Sequence, residues 1–196
     1  PVMESFFRYC TFNKLNIDHS GFFSLIQQNL DKLWKEHDCV FYASPWLSFG
    51  IDEVIKFLNP DYFITIIRNP IQVVSSLDYK GWYKSKSFNF SKNKITGLQP
   101  FYNQWHHLFS RVAPSGVFFN EWNELTPVGK AAWYWVESNK KILEDLNKID
   151  KNQVLKFRLE EIEQNYLWYK KYANFFNFKK TINEKDFNTI KKHTIN

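Results

Sequence analysis

The chain has 196 residues, of which 44% are hydrophobic and 19% aromatic, so it can bury a core and is too apolar for a disordered segment. A formal net charge of +6 favours anionic partners (phosphates, sulfates, acidic glycans, nucleic acid, anionic lipid) without choosing among them. No apolar run approaches the roughly 20 residues of a spanning helix, and neither the two cysteines nor the five histidines fall at metal-ligand spacing.

Ser20 reads as the N-cap of a helix over 21–37, with Phe22, Leu25, Ile26, Leu30 and Leu33 at helical spacing. Cys39–Ala43 is short, apolar and β-prone, which predicts a buried strand ended before Pro45. Cys10 and Cys39 both have apolar neighbours, which predicts buried free thiols rather than a bridge. Ile51–Leu58 is a predicted short helix, stopped by Asn59-Pro60. Tyr62–Ile67 is almost continuously apolar, as in a strand covered on both faces of a parallel sheet. Arg68-Asn69-Pro70 breaks it, and Pro70 suits the first turn of a helix to about Tyr79.

Residues 80–98 are polar, aromatic and lysine-rich, which predicts a long mobile substrate-covering loop. There Trp82, Tyr83, Phe88 and Phe90, interleaved with Lys84, Lys86, Lys92 and Lys94, could grip a sugar-like or acidic acceptor, although a solvated loop explains them as well. Helical spacing resumes over 100–112, and Pro114-Ser115-Gly116 is a turn. Thr126-Pro127 opens a long helix to about Leu146, with Thr as N-cap and Pro at N1. Val154–Phe157 is a further strand, and helices over Tyr166–Phe176 and Glu184–His193 close the chain. Strands alternating with helices predict one α/β domain over 1–196 with a mainly parallel sheet, 178–196 being a helical appendage.

Ligands of open parallel sheets bind beyond the carboxyl ends of the strands. Arg68 ends one such strand, and Ser76 lies eight residues on, about two turns into the next helix. A guanidinium can fork onto two phosphate oxygens while a hydroxyl donates to a third. Spacing alone equally allows an arginine in a surface ion pair and a solvent-facing serine.

The stretch FITIIRNPIQVVSS resembles the segment of sulfotransferases that binds the 3′-phosphate of 3′-phosphoadenosine 5′-phosphosulfate (PAPS), with Arg68, Asn69, Pro70 and Ser76 in matching places. Ala43-Ser44-Pro45-Trp46-Leu47 and Asn59-Pro60-Asp61 resemble the family's steps before that strand. Residues 153–162, with Glu160 and Glu161, resemble its late strand and the "Arg-Tyr-Glu-Asp-Leu" ending, in which the Glu is usually structural. The start, Pro1-Val2-Met3-Glu4-Ser5-Phe6-Phe7, resembles "Pro-Ile-Lys-Glu-Pro-x-Phe-Phe", whose Glu is the general base. The resemblance implies a P-loop-kinase-like parallel sheet flanked by helices, and transfer of a sulfuryl group from PAPS to a hydroxyl or amine of a glycan or small molecule. Arg68 and Ser76 would hold the cofactor, Glu4 would act as base with His19 in reserve, and no metal would be needed.

The family's first strand and its Gly/Ser/Thr-rich phosphosulfate loop are missing from this chain, and the alignment would put them just before Pro1. The chain alone is therefore expected to have little or no transferase activity. The bacterial or glycan-type branch fits best, because the Gly-rich basic segment of the cytosolic animal enzymes is also missing. A Lys/Asn/Phe/Ile-rich composition points to a microbial source, with the cytoplasm as the expected location and nucleic acid not an expected partner. The alternatives are another P-loop transferase, such as a small-molecule kinase, and a non-catalytic basic module for acidic glycan or nucleic acid.

Overall fold

The computed structural model describes residues 2–16, 18–44, 47–84, 88–89, 94–95, 110–114, 116–162, 166–179 and 181–194, with side chains described from residue 6 onward except at 88–89, 94–95, 162 and 190–194. The chain forms two compact units, Pro1–Pro60 with Pro70–Lys148 and Asp61–Asn69 with Ile149–Asn196.

The first unit is helical: α1 (Val2–Asn13), α2 (Ser20–Trp34), α3 (Ile51–Leu58), α4 (Pro70–Tyr79), α5 (Phe119–Glu124) and α6 (Pro127–Leu146). Local chemistry sets several of their ends. Thr126 Oγ1 accepts the Gly129 N–H at 3.1 Å and Pro127 takes the first helical position, so α6 begins as the sequence predicts. Asn59 closes α3 in the left-handed region at φ 43°, a conformation that asparagine tolerates better than most residues. Ser20 does not cap α2. Its N–H and hydroxyl donate to Asp18 at 2.9 and 3.0 Å, and His19 occupies the cap position without a side-chain bond.

Helix α6 packs against α3 and α4, and α2 against α3. The core is mostly aromatic. Phe23 is wholly buried and stacks on Phe57 at 5.4 Å between ring centroids, while Phe12 meets Trp133 edge-on at 4.9 Å. Asp145, near the end of α6, is 1% exposed and is bound by Lys141 and by Lys148, 3.0 Å away. Lys148 also reaches Asp52 on α3 at 2.9 Å. Asn13 ties the end of α1 to Ala113: its Oδ1 accepts the Ala113 N–H at 2.7 Å and its Nδ2 donates to Tyr9 O at 2.9 Å.

The second unit holds a two-stranded parallel sheet, β1 (Phe63–Ile67) beside β2 (Val154–Arg158), in register from Phe63↔Val154 to Ile67↔Arg158. Helices α7 (Leu159–Ile162), α8 (Tyr166–Phe175) and α9 (Glu184–Thr194) follow. Strand β2 alternates with period two: Leu155 and Phe157 are buried, Lys156 and Arg158 exposed. Phe157 packs against Trp168 and Tyr172 of α8 at 5.5 and 6.2 Å.

The chain is therefore mostly helical, and its α/β character rests on this small parallel sheet. Cys39–Ala43 is not a strand: Cys39 is exposed, as are Phe41 at 54% and Tyr42 at 47%. β-propensity records a fit to a pleated, half-buried surface, and among the described residues no ladder pairs with this segment. Cys10 is a buried free thiol as predicted, whereas Cys39 is a free thiol at the surface. Strand β1 is only half covered, with Ile66 56% exposed, rather than buried on both faces. The predicted helix over 100–112 lies largely outside the described residues, and its end, at 110–112, is not helical.

Most of the predicted 80–98 loop also lies outside the described residues, apart from a turn through 80–84 and an antiparallel pairing of Phe88–Asn89 with Lys94–Ile95. Tyr83, expected among the aromatics of that loop, is instead 5% exposed; it donates to Ser110 O at 3.1 Å and meets Trp122 edge-on. No helix among the described residues is long and apolar enough to cross a membrane.

Candidate functional site

The strand-ending turn at Arg68 is built from the second unit's own residues. Parallel pairing of β1 with β2 brings both carboxyl ends to one edge, where Ile67 lies opposite Arg158. Arg68 follows directly, and both arginines are exposed. The Asn69 N–H, at the point where Pro70 prevents the strand from continuing, donates to Glu160 Oε1 at 2.7 Å. That carboxylate therefore joins the turn after β1 to the first turn of α7, directly after β2.

Electrostatics agree with this arrangement. The hydrogen bond from Asn69 N–H holds the Glu160 carboxyl below the usual glutamate range, helped by a second backbone bond from its own N–H and by the charges of Arg68 and Arg158. The guanidinium groups of Arg68 and Arg158 thus both act on the Glu160 carboxylate at the carboxyl edge of the sheet. Such an edge suits an anion, because each guanidinium presents a planar fork of donors that matches phosphate or sulfate oxygens.

Of the other predicted site residues, Ser76 sits half-buried on α4 in the first unit. Glu4 belongs to α1, and its side chain lies outside the described residues. His19 is 6% exposed, against Phe7 at 4.2 Å between ring centroids. Among the described residues no group of His, Cys, Asp and Glu could hold a metal ion.

Two features escape sequence reasoning. Arg158 reads only as part of a strand ending, and its place beside Arg68 follows from a register that the pattern of one chain cannot give. The first unit also holds a buried basic–aromatic cluster. Arg8 is wholly buried, donates to the Tyr134 hydroxyl at 3.1 Å and lies 5.7 Å from the Trp82 ring. Arg111 donates to Trp82 O at 2.9 Å and lies 5.6 Å from the Tyr83 ring. Burial pushes the Tyr83 hydroxyl's pKa well up and the Arg111 guanidinium's down. The sequence signal was faint, since arginines are seldom fully buried.

No protein-family model matches the chain, and neither does any curated protein or solved structure.

Proposed function

We propose that this chain is the nucleotide-gripping part of a PAPS-dependent sulfotransferase of a P-loop-kinase-like type, acting on a hydroxyl or amine of a glycan or small molecule. One observation carries the reading: Arg68 and Arg158 stand at the carboxyl edge of a parallel strand pair, with the turn between β1 and Pro70 held by Glu160. In an open parallel sheet that edge is where ligands bind.

In this reading PAPS supplies the sulfuryl group, and the chain's residues bind and orient the nucleotide. Arg68 forks onto the 3′-phosphate, and Glu160 fixes the backbone from which Arg68 projects. Glu4 takes the proton of the acceptor, a task suited to a carboxylate kept in its base form. The residues of this sequence include no Gly/Ser/Thr-rich basic loop for the 5′-phosphosulfate, so nucleotide binding without appreciable transfer is expected of these residues alone.

Thermal-shift measurements test the reading. Adenosine 3′,5′-bisphosphate should raise the melting temperature of the wild-type chain and not that of Arg68→Ala. No stabilisation by this nucleotide or by PAPS, combined with salt-dependent stabilisation by heparin or oligonucleotide, would replace the reading with a basic binding module.

A further inference from the structure

The first unit contains a cavity of about 220 Å³ between the end of α1, the segment before α2 and the start of α3, lined in part by Cys10, Lys14, Asn16, His19, Phe49 and Glu53. Of its polar groups, Thr11 donates to Phe7 O at 3.0 Å and Lys141 pairs with Asp145, whereas His19 and Glu53 are left for a ligand. His19 is 94% buried (6% exposed), touches the rings of Phe6 and Phe7, and has no hydrogen bond to either ring nitrogen among the described residues. Ring nitrogens that have no partner in the fold and are not fully enclosed can hydrogen-bond a molecule that enters the cavity. Glu53 faces the same cavity and forms no ion pair among the described residues. Lys14 also lines the cavity, with its ammonium group 5.4 Å from the Phe118 ring.

Charges of opposite sign thus line one small space, with a buried imidazole between aromatic walls. A lone anion would be repelled by Glu53 and a lone cation by Lys14. A molecule carrying both charges a few ångströms apart satisfies each group. We propose that the cavity binds a small zwitterion of amino-acid size, its ammonium group on Glu53 and its carboxylate on His19 and Lys14. Phe7 and Phe49, 2% and 5% exposed, supply apolar wall for the rest of the ligand. The volume is below the usual range for drug-sized ligands and is adequate for a single amino acid. The inference stands apart from the nucleotide reading, since none of its residues is Arg68, Ser76, Glu160 or Glu4, and Glu53 has no part in that reading.

Isothermal titration of the full chain with each standard amino acid tests it, with acetate and ethanolamine as probes that carry one charge each. At least one amino acid should bind, and about tenfold or more tighter than either single-charge probe. Glu53→Gln and His19→Gln should each weaken that binding by about tenfold, while adenosine 3′,5′-bisphosphate shifts the melting curve of Glu53→Gln as it does that of the wild type. Glu53 and Lys14 reach solvent, so Glu53→Gln and Lys14→Gln still decide the matter if His19→Gln fails to fold. No binding by any amino acid, or equal binding in wild type and Glu53→Gln, overturns the proposal.

Discussion

Asn69 and Glu160 lie 91 positions apart in the chain and are joined by a 2.7 Å hydrogen bond from a main-chain N–H to a carboxylate. The bond closes the carboxyl edge of the parallel pair and fixes the direction in which the backbone leaves β1 at Arg68. Because the acceptor is ionised, protonation should weaken it. The carboxyl is held below the usual glutamate range, so its contribution to stability is present in full above the unfolded-state pKa and is lost as pH falls through the lower, folded value. Melting curves of wild type and Glu160→Gln should therefore differ at neutral pH and converge in acid, below the ordinary glutamate range of about 4.3. A constant difference at every pH would show that the charge is not involved.

The second unit depends on Phe157. This ring is 5% exposed and packs on Trp168 and Tyr172, in a sheet that has two strands among the described residues. Phe157→Ala should cost about 3–5 kcal/mol in denaturant unfolding, within the range for buried aromatic truncations. A loss below about 1 kcal/mol would mean that the ring is not part of a cooperative core.

Thr126 caps the longest helix among the described residues through the Gly129 N–H. Thr126→Ala should destabilise by about 1 kcal/mol, and Thr126→Ser should restore most of it, because the hydroxyl and not the methyl group makes the bond. Equal losses in both variants would assign the effect to packing.

Gly116 shows how tightly the end of α1 is joined to Ala113. A Cβ added there would collide with Asn13 Oδ1 and come within 2.8 Å of Val112 Cγ1 and 3.1 Å of Ala113 O. Gly116→Ala must push Asn13 off the Ala113 N–H, a bond of 2.7 Å. Loss of that bond and the local crowding together should cost about 1–3 kcal/mol, measurable by chemical denaturation.

The two thiols should differ in reactivity. Cys39 is exposed, whereas Cys10 is buried and its thiol pKa is pushed up to about 11 by desolvation, with the charge of Glu53 adding to the shift. Titration with a thiol reagent at neutral pH should modify Cys39 quickly in the native chain and Cys10 only after unfolding. Fast modification of both would contradict the placement of α1.

Where a local signal is complete, the sequence reads well. Thr126 with Pro127 marked the start of α6, Asn59 marked the end of α3, and the apolar runs before Arg68 and Arg158 became the two paired strands. Where the outcome depends on partners distant in the chain, the pattern misleads. Cys39–Ala43 has the composition of a strand and lacks a ladder among the described residues, while Tyr83 looks like a loop aromatic and is buried against Trp122. No element was expected before residue 20, although Phe6 and Phe7 precede Cys10 by four and three residues, the same-face spacing that α1 adopts. For the candidate site, Arg68 was legible because a strand, a basic residue and a proline follow one another. Glu160 was legible only as a residue with a structural role, and its partner Asn69 depends on the strand register.

The central claim concerns the phosphate held at Arg68, and a paired calorimetric titration addresses it directly. Adenosine 3′,5′-bisphosphate and adenosine 5′-monophosphate differ only in the 3′-phosphate. The wild-type chain should bind the bisphosphate about tenfold or more tighter, and Arg68→Ala should bind the two alike. Equal affinity for both nucleotides in the wild type, or a preference that survives Arg68→Ala, would contradict it.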